Sequence, residues 1–131
     1  MSILNESIRP QLLARLGDVT ADSTFLVLYA QKKLVIVGAA IVAHVDVAAG
    51  SGANNVAFKL IDRAADGDET DVAAAVNNDG VAVDKGEILA LNVPEDYSLD
   101  EGHSLILSAD VTGAGAFSPC ALALDYLVVG S

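Results

Sequence analysis

Beyond residue 22 the chain is written as short apolar runs separated by polar turns. Residues 24–29 form a β-branched and aromatic run, Thr-Phe-Leu-Val-Leu-Tyr, and Gln31-Lys32-Lys33 makes a polar turn after it. In residues 34–47 every odd position (Val35, Val37, Ala39, Ile41, Ala43, Val45, Val47) is apolar, while the even positions end in His44 and Asp46. That pattern predicts one long strand, with one face buried throughout and the other emerging into water halfway along. Val56, Phe58 and Leu60 share a face of the next strand, and residues 72–76 form a short alanine-rich one. Asn77-Asn78-Asp79-Gly80 gathers residues that tolerate positive φ and reads as a turn. The run at 87–93 stops at Pro94, residues 103–111 alternate with His103, Leu105, Leu107, Ala109 and Val111 on one side, and residues 121–129 close the pattern. Seven or eight strands without intervening helices predict an all-β fold. Strands of this length, and a last strand that completes a sheet, favour a jelly-roll-like antiparallel β-sandwich over an immunoglobulin-type one. The immunoglobulin Cys…Trp…Cys pattern is missing: the chain has no Trp and a single Cys.

The first 20 residues differ. Ile8, Leu12 and Leu16 recur at helical spacing, with Ser7 placed to cap, Pro10 in a tolerated first turn and Gly17 at the end. The spacing predicts a short helix. An isolated helix of that length is marginal, so an extended arm lying across a neighbour is the competing expectation. The expected organisation is an N-terminal arm over residues 1–20 and a sandwich over 21–131.

Length and charge narrow the function classes. At 131 residues the chain is the size of one domain. Seven basic against eighteen acidic residues give a net charge of −11, which repels phosphate backbones, so no nucleic-acid partner is expected. The 53% hydrophobic content excludes a disordered acidic tail. Much of that content is Ala and Val, whose small side chains bury little area each, and contacts between copies are expected to supply part of the missing burial. Residues 1–33 hold four basic and three acidic side chains, and the rest hold three and fifteen. Such asymmetry fits a docking segment or an uneven scatter of few basic residues. The longest apolar run falls short of the ~20 residues of a membrane helix, and the start lacks a secretory signal, so no membrane partner is expected and synthesis is expected in the cytoplasm.

Candidate chemistry is sparse. His44 and His103 read as strand-end surface residues, Cys120 as a small buried hydrophobe, and no G-x-S-x-G is present. Asp62, Asp66, Asp68, Glu69 and Asp71 cluster around Gly67, which reads as a solvated acidic loop or a calcium site; the EF-hand spacing is only partly matched. No catalytic residue, metal or cofactor is assigned.

The segment Phe25-Leu26-Val27-Leu28-Tyr29-Ala30, then Leu34-Val35-Ile36-Val37-Gly38-Ala39-Ala40, resembles the small head proteins of tailed bacteriophages. Glu87-Ile88-Leu89-Ala90-Leu91, the stretch Leu99-Asp100-Glu101-Gly102-His103-Ser104-Leu105-Ile106-Leu107, and Ala121-Leu122-Ala123-Leu124-Asp125-Tyr126 extend the likeness over roughly residues 20–129. The resemblance implies a capsid decoration, or cement, protein: a jelly roll, often trimeric, that clamps the major capsid protein on the outside of the virion without catalysing anything. On this reading the less acidic arm contacts the shell or a sister subunit, with Ile8, Leu12, Leu13 and Leu16 as apolar anchors and Arg9 and Arg15 as the charge complement. The competing expectations are a tail or fibre jelly roll that recognises a receptor, and a calcium- or carbohydrate-binding sandwich module.

Overall fold

The computed structural model describes residues 11–129, with the side chains at 118–120 left aside. Ten strands run in chain order: β1 (Gln11–Val19), β2 (Ser23–Tyr29), β3 (Leu34–Ala43), β4 (Asn55–Arg63), β5 (Glu69–Asp71), β6 (Val76–Asn77), β7 (Ile88–Ala90), β8 (Tyr97–Leu99), β9 (Ser104–Thr112) and β10 (Phe117–Val128). The described residues contain no helix. The strands make two five-stranded antiparallel sheets. The first has the order β1-β10-β3-β7, with β8 also on β3; the second has β2-β9-β4-β5, with β6 also on β4. The partners nest, first strand with last, second with second-last and third with third-last. The nested pairing runs across both layers, and the two sheets pack as an antiparallel β-sandwich.

Alternation explains which faces meet. In β9 Leu105, Leu107 and Ala109 are buried, and across the sandwich so are Leu122 and Leu124 of β10. Phe58 of β4 and Phe117 of β10 join the layers edge to face, their ring centroids 5.4 Å apart at 88°, a geometry that adds about 0.5–1.5 kcal/mol beyond the area it buries.

The long strand expected at 34–47 differs in two ways. It ends at Ala43, and its buried positions change parity: Leu34 and Ile36 are buried in the first half, Ile41 and Ala43 in the second. Opposite it, Asp125 pairs with Gly38 and Tyr126 with Ile36, so Val37 is an extra residue. This bulge shifts the alternation by one and turns Val35 and Val37 away from the core face that an unbroken pleat would give them. Beyond Ala43 on that line, Val47 makes an isolated bridge to Val83 and Asp46 Oδ1 accepts from Lys85 N–H at 2.8 Å.

The predicted helix is also replaced. The part of it within the described residues is the strand β1, paired with the chain's own β10 from Gln11–Asp125 to Val19–Phe117. A ten-residue helix gains little by itself, whereas this strand satisfies its backbone on β10 and packs Leu12, Ala14 and Leu16 on the core. Within 72–76, Val72 is buried, but the regular pairing comes later, at β6.

Candidate interaction surface

Extended pairing of β1 sorts the expected anchors by parity. Leu12 and Leu16 turn inward and pack against the core, so they are not free to bind a partner. Leu13, 63% exposed, and Arg15 turn outward. Ile8 and Arg9 lie outside the described residues. A helix would have grouped Leu12 with Leu16 on a free face; the strand splits them from Leu13 and Arg15 because its period is two.

Leu13 and Arg15 begin two rows that cross the outer face of the first sheet. One row is Leu13, Ala123, Ala40 and Ala90; the other is Arg15, Ala121, Val42 and Ile88. A third, Gln11, Asp125 and Gly38, borders them, with Gln11 Nε2 donating to Asp125 Oδ1 at 2.8 Å. The two central rows carry one charge, on Arg15, in a chain of net charge −11. Small side chains at their middle leave a depression of about 520 Å³ bounded by Leu13, Arg15, Val42, His44 and Ala121. His44, just beyond the end of β3, is exposed, as expected. Arg15 makes no ion pair with a described residue.

The outer face of the second sheet is more mixed, with polar rows on either side of an apolar one, Leu26, Ile106 and Ile61. Thr24, Ser108 and Lys59 form one row, and Tyr29, Ser104, Arg63 and Glu69 another. Lys59 Nζ pairs with Asp71 at 3.1 Å.

One polar cluster was not visible beforehand. Asp62, expected in the acidic loop, is a residue of β4 whose carboxylate turns to the core face and is 9% exposed. Tyr97 Oη of β8 donates to its Oδ2 at 2.7 Å, and His103 Nδ1 donates to its Oδ1 at 2.6 Å. A carboxylate only accepts, so Nδ1 carries the proton. His103 is aimed inward by the turn before β9, where Gly102 adopts φ +86°, its N–H donating to Ala30 O and that of His103 to Asp100 O. Burial, with the hydrogen bond to Asp62 and the charges of Asp62 and Asp100 behind it, pushes the Tyr97 hydroxyl well above its ordinary value. A carboxylate beside an imidazole is part of a hydrolytic relay, in which the imidazole's other nitrogen meets a nucleophile. Here the hydroxyl meets the carboxylate instead, and the three groups act as a latch joining β8 of the first sheet to β4 and β9 of the second.

The remaining acids do not converge. Asp66 Oδ1 caps its own turn by accepting from Asp68 N–H, and Asp71 holds Lys59. Among the described residues no three His, Cys, Asp or Glu side chains are grouped to hold a metal ion. The strand that carries Tyr97, β8, pairs only three residues of β3, too short a strand to show in the sequence pattern. Set against known proteins, the chain matches no family model and no curated sequence is significantly similar to it.

Proposed function

We propose that the chain is a non-enzymatic structural protein of a virion, binding the outer surface of a tailed-phage capsid and stabilising it as a decoration protein. The observation that carries the reading is the outer face of the first sheet: two adjacent rows of small and aliphatic side chains with one cation among them. Contiguous exposed apolar surface on a soluble fold marks a protein contact. Alanines at its centre let a second backbone come close, and Arg15 beside the depression supplies orientation to an acidic or carbonyl-bearing partner. The major capsid protein is the partner this reading assigns, in line with the resemblance of the strand segments to small head proteins. Closed self-association, with a trimer favoured, belongs to the same reading.

The test uses expanded heads lacking the protein, from the phage that encodes it. Full-length chain added to such heads should co-sediment with them and raise the temperature at which they rupture. Leu13→Glu and Arg15→Glu, both on exposed positions, should fold normally and lose at least about tenfold in head binding, the loss of a central anchor. Heads that neither bind the native chain nor gain stability from it would sink the proposal.

A further inference from the structure

We propose that a cleft on the outer face of the second sheet, remote from the face discussed above, binds a neutral oligosaccharide. The cleft encloses about 640 Å³, within the range of small-ligand sites. Its floor is Ser104 and Ile106 of β9; one wall is Thr24, Leu26 and Tyr29 of β2; the other is Arg63 and the turn that carries Asp66. Because β2 and β4 flank β9 on either side, the walls stand roughly 10 Å apart, twice the inter-strand spacing. That span seats one pyranose ring with its equatorial hydroxyls.

The chemistry of the lining selects the ligand. Tyr29 is 58% exposed and Leu26 70%, an aromatic and an aliphatic surface on which the C–H face of a sugar packs. Arg63 makes no ion pair with a described residue and offers a planar fork of donors. Asp66 keeps a carboxylate oxygen beyond the one that caps its turn, and Ser104 and Thr24 each add a hydroxyl. Hydroxyl groups of a sugar donate and accept, so they match such a mixed set. One cation and one anion within the lining leave no net charge for an ionic ligand to neutralise. A wholly apolar ligand would strip water from the guanidinium and the carboxylate with nothing in return. An extended peptide binds a sheet by pairing with a free edge, but the floor strand β9 is already paired on both sides, by β2 and β4. Only side chains remain to do the recognising.

One exposed aromatic ring implies weak binding, with Kd on the order of 1 mM. Many copies on one particle would raise the effective affinity by roughly 10²–10⁴; that gain rests on the particle reading, while the site itself does not. The experiment is a ¹H–¹⁵N titration of the full chain with maltohexaose, cellohexaose and chitohexaose, each to about twenty times the expected Kd. At least one probe should give saturable shifts confined to amides around Tyr29, Arg63, Ser104 and Ile106. Tyr29→Ala and Arg63→Ala should weaken that probe tenfold or more, and Lys59→Ala, on the same face outside the cleft, should leave it unchanged. Absence of saturable shifts with all three probes overturns the proposal, as do shifts centred elsewhere or binding undiminished in Tyr29→Ala. Head binding is measured separately, so either proposal can fail without the other.

Discussion

Asp62→Ala tests the latch between the sheets. The carboxylate is 9% exposed and accepts two short hydrogen bonds, 2.6 Å from His103 and 2.7 Å from Tyr97. Bonds to a charged group contribute about 1.5–3 kcal/mol each, so the gross loss is about 3–6 kcal/mol. Two effects offset part of it. Removing the carboxylate also removes the cost of holding a charge out of water, and the freed partners are reachable by solvent, the His103 side chain being 24% exposed. About half of the gross figure survives, a net cost of about 1.5–3 kcal/mol. With an unfolding entropy near 2.1 cal/mol/K per residue, 131 residues convert that into a melting-temperature drop of roughly 5–11 °C. Tyr97→Phe removes one bond and keeps the ring, and should cost about 1 kcal/mol alone but almost nothing beside Asp62→Ala. The assay is urea unfolding followed by far-ultraviolet circular dichroism on the native chain, the two single variants and the double variant. A cost below about 0.5 kcal/mol for Asp62→Ala, or strict additivity in the cycle, would refute the latch.

Tyr97 also sets a pH signature. Its hydroxyl is held above the ordinary value of about 10, so its contribution is complete below pH 10 and is lost as pH rises through the raised value, because the unfolded chain ionises first. The urea midpoint of the native chain should fall more steeply above pH 10 than that of Tyr97→Phe; parallel curves would contradict the assignment. Parity along β1 makes a second contrast: Leu12→Ala and Leu16→Ala should each cost about 1–2 kcal/mol, less than a fully buried leucine, and Leu13→Ala less than about 0.5 kcal/mol. Equal costs at all three in thermal unfolding would mean that the strand register is wrong. Because no three acids among the described residues are grouped to hold a metal ion, adding EDTA to protein prepared with calcium should leave the melting temperature where it is.

How far the fold was legible depended on whether a strand's pattern ran unbroken. Residues 103–111 alternate except at Ile106, and Leu105, Leu107 and Ala109 are buried as the pattern requires. Residues 34–47 alternate just as well on paper. Yet the bulge at Val37 reverses the parity, since both faces of that strand are apolar and neither register exposes a polar side chain to object. The N-terminal segment failed for a related reason. Ile8, Leu12 and Leu16 fit a period near four, but Leu12, Ala14 and Leu16 fit a period of two equally well, and the vacant flank of β10 decided between them. Leu13 and Arg15 are exposed while Leu12 and Leu16 pack on the core, a division the sequence could not make without the strand. Asp62 was hidden by its neighbours. Five acids within ten residues read as one solvated loop, and nothing local marks the one that lies on a core-facing position of β4, because its partners Tyr97 and His103 are 35 and 41 residues away.

The two outer faces follow from the same winding, and their difference bears on function more than the core does. Nested pairing across two layers places β1 and β10, the ends of the described chain, side by side in the first sheet, and β2 and β9 in the second. The first sheet thereby collects Ala40, Ala90, Ala121 and Ala123 on its outside, where they add nothing to the core and cost solvation. Nothing in the stability of a sandwich calls for such a face. Polar side chains serve equally well there, as Thr24, Ser108 and Lys59 do on the outside of the second sheet. On the function proposed above, the outside of the first sheet is the face that a partner covers. Its small side chains let a second backbone come close, while the cleft of the second sheet, lined by hydroxyls and by Arg63, which makes no ion pair with a described residue, stays open to water on the opposite side. A chain docked through the first sheet therefore turns its second sheet outward, and the two proposals occupy opposite faces of one molecule without competing for any residue.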